Sequence, residues 1–340
     1  MDNIRLFLFM GLGLVLLLLY QAWMQDYGPR TQQAAEVAGA GATVADDESV
    51  PSAMPGSAGD GVPGSVPTQD RPRSARGDTV RVQTDRLIVE ISTRGGDVRR
   101  VDLPTYPVSL DQPDTPFRLL DDGTGLFHIA QSGLLAADAR VPNHTAEFTA
   151  ERTSYTLAEG ADTLVVPLRW EGENGLVVEK RFVFRRDSYL IDVVFHVTNG
   201  SGEPVEVSQY RQLQRTPPGD DGQAFIYTYT GGVIYDPEEK YQKIDFGDME
   251  DKPLSRDIDH GWAAMIQHYF LAAWIPAPEE TNRYETRALD GSRYLLRLIS
   301  PAETVAPGSE SRLATQLFVG PKEQERLEQV AEGLKLTVDY

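Results

Sequence analysis

A long apolar run near the N-terminus is the feature that most constrains this chain. Residues 6–19 read LFLFMGLGLVLLLL and sit inside a longer apolar segment, residues 4–24. About twenty such residues suffice to cross a hydrocarbon core of ~30 Å as a helix. Tyr20 and Trp23 stand at the far end, where aromatic rings favour the membrane interface. The run therefore predicts a transmembrane anchor over residues 1–24, in contact with the lipid bilayer through residues 4–24.

A cleaved secretory signal is the alternative to an anchor. Such a signal needs a small-x-small cleavage site shortly after its apolar core. Trp23 and Met24 are too bulky for that site, and the first suitable triplet lies at residues 38–40. An uncleaved anchor is therefore favoured. Arg5 and the terminal amine precede the segment and only Arg30 follows it closely, so the charge bias favours a cytoplasmic N-terminus.

Residues 25–78 have the composition of a linker. Ala, Gly, Ser, Pro and Asp dominate this stretch, and it has no sustained apolar period. Such a chain buries too little apolar surface to offset the entropy cost of ordering it. We expect a disordered tether of about 50 residues, which spans on the order of 40 Å as a random coil.

From Thr79 onward the pattern changes to short strands separated by turns. The clearest hairpin joins residues 176–185 to residues 189–198 through Arg-Asp-Ser. Close spacing of such runs, with Gly, Pro and Asp between them, is typical of a large antiparallel sandwich. We therefore predict a mainly β fold, with one domain over residues 79–320.

The end of the chain, residues 321–340, predicts an amphipathic helix. Pro321 suits a first helical turn, and Lys322 to Gly333 contains no helix breaker. One apolar face has the spacing i, i+3, i+4 and i+7. It is formed by Leu327, Val330, Ala331 and Leu334. We expect this face to pack on the domain's own sheet, and a docking face for a partner or for the membrane is the alternative.

Charge and cysteine content exclude several classes of function. The formal net charge is −19, which makes nucleic acid and anionic lipid headgroups poor partners for the soluble part. The chain has no cysteine, so disulfides, thiolate nucleophiles and cysteine-ligated metals are excluded.

Side chains with catalytic potential form no recognisable site. The five histidines lack the spacing of a zinc site, and we expect them to be structural or on the surface. Residues 245–251, with four carboxylates, fit neither a kinase nor a calcium loop, and a solvated loop is expected. The sequence predicts no catalytic residue, no cofactor and no metal.

One apolar stretch, residues 261–276 (GWAAMIQHYFLAAWIP), resembles the periplasmic domain of YidC-type membrane protein insertases of Gram-negative bacteria. Its poor alternation alone predicts a strand buried on both faces. Gln21-Ala-Trp23, residues 235–246, Val319-Gly-Pro321 and residues 336–340 also resemble that family, in the same order. The resemblance covers the whole chain except the linker.

The resemblance implies a super-sandwich of the type seen in sugar mutarotases, facing the periplasm, with its anchor in the bacterial inner membrane. It implies a protein that assists insertion and folding of inner-membrane proteins, alone or with the Sec translocon, without enzymatic chemistry. Sec components and nascent inner-membrane proteins are the partners it implies. Residues 25–340 would be mostly periplasmic and would form an accessory domain.

The family's insertase core follows this domain, and the sequence ends at Tyr340, where that core would begin. A fragment of a longer protein, or a truncated product, is the expectation. One alternative is a membrane-anchored carbohydrate-binding or carbohydrate-active protein, which would need convergent carboxylates and histidines in a cleft. A second is a stand-alone periplasmic adaptor that binds through the apolar face of the C-terminal helix.

Overall fold

The computed structural model describes four stretches of the chain: residues 77–123, 125–138, 140–218 and 229–338. The predicted anchor at residues 1–24 lies outside these stretches, and so does nearly all of the predicted linker at residues 25–78. Within the described stretches, no helix has the length and apolar character needed to cross a bilayer. The anchor, linker and domain boundaries therefore stay predictions.

Most of the described chain is β-strand. The strands, in chain order, are β1 (Thr79–Gln83), β2 (Ile88–Ser92), β3 (Val98–Ser109), β4 (Gln112–Leu120), β5 (His128–Leu135), β6 (Thr149–Ala150), β7 (Ser154–Thr156), β8 (Thr163–Glu171), β9 (Leu176–Arg185), β10 (Leu190–Asn199), β11 (Val205–Arg215), β12 (Gly231–Asp236), β13 (Lys240–Ile244), β14 (Ser255–Asp259), β15 (Trp262–Gln267), β16 (Phe270–Pro276), β17 (Thr281–Leu289), β18 (Arg293–Ile299), β19 (Glu303–Val305) and β20 (Glu310–Pro321). Two short α-helices, α1 (Phe246–Asp251) and α2 (Gln324–Val330), and two 3₁₀ turns, Glu173–Gly175 and Leu334–Thr337, accompany them.

These strands form two sheets. Sheet 1 has the order β14-β17-β18-β11-β5-β3-β2-β1-β7, with β4 paired to β3 and β19 paired to β11. Sheet 2 has the order β13-β12-β15-β16-β20-β10-β9-β8-β6. Among the described pairings, only β1 with β7 is parallel. The predicted mainly β, antiparallel fold is confirmed, and its assignment to the mutarotase type stays a prediction.

The apolar core lies between the two sheets. Trp274 of sheet 2 is 1% exposed, and its indole N–H donates to the Gln212 carbonyl of sheet 1 at 3.0 Å. Since successive side chains of a strand alternate between faces, Ile275 points away from sheet 1. The main cluster of buried apolar side chains draws on both sheets, for example Val193 from sheet 2 and Leu298 from sheet 1. This alternation fixes which side chains of sheet 2 face outward.

The hairpin predicted over residues 176–198 is confirmed. Strands β9 and β10 pair antiparallel from Asp192 with Val183 to Asn199 with Leu176. Asp187 forms the turn with φ of +54°, a conformation in which Asp is tolerated better than most residues. Strict alternation and a short polar turn made this hairpin readable from sequence.

The apolar stretch at residues 261–276 forms two strands, so its prediction as a single buried strand was wrong. Strands β15 and β16 form a hairpin in which Gln267 pairs with Phe270. His268 takes φ of +30°, and Tyr269 is 68% exposed at the turn. The turn contains neither Gly nor Pro, the residues that usually mark one in a sequence.

The C-terminal helix is shorter than predicted. Pro321 ends β20 and does not begin the helix, which runs over Gln324–Val330 only. Ala331 is already extended, with φ of −156°. Gly333 then takes φ of +74°, a left-handed conformation that favours glycine. A Cβ at Gly333 would lie 2.2 Å from the Tyr235 ring, so close packing against sheet 2 also requires a glycine here.

The acidic stretch at residues 245–251 is a helix, so the prediction of a loop was wrong. Asp245 caps the helix, because its side chain accepts a hydrogen bond from the Asp248 N–H at 2.8 Å. Met249 is 1% exposed and anchors the helix to the core. One of the acidic residues is therefore the helix cap. A single buried methionine does not make a periodic apolar pattern, so the sequence did not indicate the helix.

A buried lysine links the two sheets. Lys180 of β9 has no exposed surface, and its ammonium donates to the carbonyls of Gly95, Gly96 and Ser132 at 2.9 Å each. Burial lowers the pKa of Lys180 to about 7, and the charge of Asp97 opposes that shift. All three acceptors belong to the sheet 1 side of the core, so one side chain fixes the spacing of the sheets at this point.

We expect the stability of the domain to increase with pH between about 7 and 10. In this window the unfolded chain binds a proton at Lys180 that the folded chain does not, so the free energy of unfolding rises by up to about 1.4 kcal/mol per pH unit. Lys180→Met should remove the pH-dependent increase. Urea denaturation of the detergent-solubilised chain, followed by circular dichroism, measures it. Identical pH profiles for the two proteins would contradict the lowered pKa.

Candidate functional site

The outer face of sheet 2 carries a groove of about 430 Å³ next to the C-terminal segment. Strands β10, β16 and β20 form its floor, and residues 330–332 form one wall. The register aligns Asp192, Gln316 and Ile275 in one row across these strands. Its volume falls in the range of about 300–1,000 Å³ typical of ligand sites. We call this site the C-terminal groove.

Aromatic residues hold the wall of the groove in place. The indole N–H of Trp262 donates to the carbonyl of Glu332 at 2.8 Å, and the Tyr235 hydroxyl donates to the Glu332 carboxylate at 3.0 Å. The Tyr235 and Trp262 rings stack at 5.8 Å with an interplanar angle of 7°. Because these two side chains come from neighbouring strands β12 and β15, sheet 2 sets the position of the segment that follows α2.

The carboxylates of the groove already have partners. Asp192 accepts hydrogen bonds from Arg185 and, at 2.9 Å, from Gln316. Burial would raise the pKa of Asp192, but the hydrogen bonds from Arg185 and Gln316 outweigh it and hold that pKa below its ordinary value. Glu332 accepts from Tyr235. Asp192 therefore stays ionised at neutral pH, with its charge balanced inside the protein.

Arg312 is the cation of the groove. It lies on β20 directly opposite His196 of β10, and its side chain is exposed. Burial and the charges of Arg181 and Arg312 lower the pKa of His196, so that ring is neutral near pH 7. No ion pair or hydrogen bond involves the Arg312 side chain within the described part of the chain. The positive charge next to the groove therefore comes from Arg312.

The four residues of the predicted apolar face occupy two different environments. Leu327 and Leu334 have no exposed surface and belong to the main cluster of buried apolar side chains, which also includes the outward-facing Trp262 of sheet 2. Val330 and Ala331 are half-buried and line the groove. Since the helix ends at Val330, the four side chains do not form one continuous helical face. A docking role for them stays a prediction.

Sequence reasoning missed most of the groove. Trp262, Ile275, Asp192 and Arg312 come from four strands, and only the strand register brings them together. The available signal was the alternation in β10 and β20, which places Asp192 and Arg312 on the face opposite to the core. Alternation gives the face of each strand but not which strands become neighbours.

A second polar feature crosses sheet 1. The Gln131 carbonyl oxygen accepts from the amides of Gln212 and Gln214 at 2.8 Å each, and the Gln131 amide donates to Asp97 at 2.8 Å. Arg297 extends the chain of bonds by donating to Gln212 at 3.0 Å. These side chains are all buried, and they connect β5, β11 and β18 to Asp97, the residue before β3. Since the bonds run from strand to strand, we interpret this network as a device that fixes register.

Among the described residues, no group of three or more His, Asp or Glu side chains has the arrangement of a metal site. The groove contains His260 and two carboxylates, Asp192 and Glu332. Since both carboxylates are hydrogen-bonded to other side chains, they do not form a free acid–base pair. What the groove offers chemically is an apolar floor next to one exposed cation.

A family model and named relatives of this chain point to the same family. A family model described as the YidC periplasmic domain matches residues 79–340. Proteins named membrane protein insertase YidC are 42% identical in Thioalkalivibrio sulfidiphilus and 45% identical in Alkalilimnicola ehrlichii, each over 100% of this chain. The matches cover 62% and 60% of those relatives, so the chain spans about 60% of their length.

Solved structures give a weaker likeness. A galactose mutarotase-like protein from Lactobacillus casei is 9% identical, with a TM-score of 0.47 over 71% of this chain and 99% of that chain. A galactose mutarotase related enzyme from Lactobacillus acidophilus is 11% identical, with a TM-score of 0.44 over 71% of this chain and 97% of that one.

We expect Leu327→Asp to destabilise the domain strongly. A carboxylate at a position without exposed surface loses its hydration, and such substitutions cost about 4 kcal/mol or more. Val330→Asp places the same group on the half-exposed wall of the groove and should cost less than half as much. Urea denaturation of the detergent-solubilised variants measures both. Equal losses would show that the two positions do not differ in burial as described.

Proposed function

Because this chain belongs to the YidC periplasmic domain family, we propose that it is the N-terminal part of a membrane protein insertase and supplies its accessory periplasmic domain. The observation that supports this proposal best is the family match over residues 79–340. Relatives 42% and 45% identical over the whole chain carry the same insertase name. The chain's own part in insertion is therefore assistance on the outer side of the inner membrane.

The proposed topology follows from the sequence. Residues 4–24 would cross the inner membrane once, with the N-terminus in the cytoplasm. Residues 25–340 would lie mostly in the periplasm, with the β domain tethered by the linker. A tether that spans on the order of 40 Å lets the domain reach other proteins at the same membrane surface.

The proposed partners are nascent inner-membrane proteins and components of the Sec translocon. The names of the relatives support the first, because an insertase acts on membrane proteins. The Sec translocon is proposed from the resemblance of residues 261–276 and the other matching stretches to YidC-type insertases. Nucleic acid is a poor partner for a chain of net charge −19.

We propose a binding role and no enzymatic one. The carboxylates of the C-terminal groove are held by Arg185, Gln316 and Tyr235, so neither is placed to transfer a proton to a ligand. The alternative of a carbohydrate-active protein needs convergent free carboxylates and histidines. The arrangement in the groove does not favour it, and the relatives are named as insertases.

Depletion of the whole protein in its own cells tests this function. We expect insertion of newly made inner-membrane proteins to stop, and a chromosomal deletion of residues 79–338 to slow insertion without abolishing it, because the domain is proposed to be accessory. Protease protection of a pulse-labelled membrane protein measures insertion. Export of an outer-membrane protein under the same depletion is the control for general loss of secretion.

Two results would contradict the proposal. Normal insertion after depletion of the whole protein would remove the insertase function. Full restoration of insertion by the 340-residue chain alone would show that this part is no accessory domain. Immunoblotting for an N-terminal epitope tag carried by every variant must show equal amounts of each, so that loss of protein is not mistaken for loss of activity.

A further inference from the structure

The charged side chains of the C-terminal groove differ in whether they already have hydrogen-bond partners. Asp192 and Glu332 are held by hydrogen bonds from neighbouring side chains. Arg312 lines the same groove, is exposed, and has no ion-pair or hydrogen-bond partner within the described stretches. An arginine presents five N–H donors in a fixed planar fork that matches a carboxylate. The groove can therefore offer Arg312 to a ligand without breaking an existing bond.

The floor next to Arg312 is apolar. Val194 and Ala314 face each other across β10 and β20, and Ile275 continues the floor on β16. Val330 adds an apolar wall. Val194 and Ile275 are already buried, so a ligand would cover chiefly Ala314 and Val330, at about 25 cal/mol per Å² of apolar area removed from water. A ligand that suits both features has an apolar body and carries a carboxylate at one end.

Recognition in this groove has to occur through side chains. Strands β10, β16 and β20 are internal in sheet 2, and each is paired with a strand on both sides. Their backbone N–H and C=O groups are consumed in these pairings, so a ligand cannot join the sheet as an added strand. The contacts that remain are apolar packing on the floor and hydrogen bonds from Arg312.

We infer that the C-terminal groove binds an extended peptide segment in which apolar residues precede an acidic residue, namely the periplasmic end of a client's transmembrane segment. This inference rests on the proposed function. Loops on the outer side of the inner membrane are poor in Lys and Arg, because cations are retained on the cytoplasmic side. A segment that emerges there presents apolar residues followed by a flank without cations, which suits an apolar floor with one arginine.

Charge complementarity also argues for a carboxylate ligand over a cationic one. On this face, Arg185 neutralises Asp192, and Arg169 and Arg181 are paired with Glu171 and Glu179. Arg312 has no ion-pair partner within the described stretches, and the Glu332 carboxylate of the same groove is hydrogen-bonded to the Tyr235 hydroxyl. One exposed arginine in a groove of a chain with net charge −19 gives a weak, local preference for anions. Binding is therefore expected to be transient, as release of a client requires.

Peptide binding to the full chain in phosphatidylcholine nanodiscs tests the inference. The probe is a dye-labelled Gly-Leu-Val-Leu-Val-Asp peptide with an amidated C-terminus, and its matched control ends in Asn. Fluorescence anisotropy gives the affinities, with empty nanodiscs as the blank for partition into lipid. We expect the Asp peptide to bind about fivefold more tightly than the Asn peptide, equal to ~1 kcal/mol for an exposed ion pair.

Substitutions then locate the binding site. Arg312→Gln should remove the preference for the Asp peptide and leave the affinity for the Asn peptide unchanged. Arg169→Gln is the matched control, because Arg169 is an exposed arginine of the same sheet paired with Glu171 at 2.8 Å outside the groove. Ala314→Phe fills the floor and should weaken both peptides. Circular dichroism melting of each variant verifies that the fold is retained.

Three outcomes would overturn the inference: equal binding of the Asp and Asn peptides, an equal loss for Arg169→Gln and Arg312→Gln, or unchanged binding in Ala314→Phe. The binding assay does not depend on insertion activity. If the peptides do not bind but depletion of the protein still stops insertion, this inference is wrong and the proposed function stands. If the peptides bind but insertion stays normal after depletion, the proposed function is wrong.

Discussion

The structure depends on the burial of sheet 2 from both sides. Strands β15 and β16 carry apolar side chains on both faces, because Trp274 points into the core and Trp262 points away from it. An outer face of this kind cannot be left in water without losing the stabilisation that burial gives. The C-terminal segment covers part of it, with Leu327 and Leu334 fully buried. The groove is the part of the same face that this segment leaves half covered.

The same requirement explains why the C-terminal helix is short. Propensity alone would continue the helix past Val330, but the chain has to turn so that Leu334 also reaches sheet 2. Gly333 makes that turn possible with its positive φ, and Trp262 satisfies the carbonyl of Glu332 that the helix no longer uses. Tertiary contacts therefore override a periodic pattern that is helical in the sequence.

The sequence predicts well those features of the fold that depend on residues close together in the chain. The hairpin of β9 and β10 has alternating side chains and a polar turn, so its existence and register follow from a short stretch. The turn at His268 was not predicted because it uses a non-glycine residue at positive φ. The groove was not predicted because β10 and β16 lie on either side of β20 in the sheet, and the three strands are far apart in the sequence. Alternation identifies the outward position of Asp192, but only the assembled sheet places it near Ile275.

The two sheets use polar side chains in opposite ways. In sheet 1 the glutamines and Arg297 bond to one another across three strands, β5, β11 and β18, so their hydrogen bonds serve to fix register. In the groove on the outer face of sheet 2, Asp192 is neutralised by Arg185, Glu332 accepts from the Tyr235 hydroxyl, and Arg312 has no ion-pair partner among the described residues. In a strongly acidic chain, each carboxylate without a cationic partner near Arg312 reduces the attraction of that arginine for an anion. The ion pair of Asp192 with Arg185 removes one such negative charge and therefore strengthens the preference that Arg312 gives to the groove.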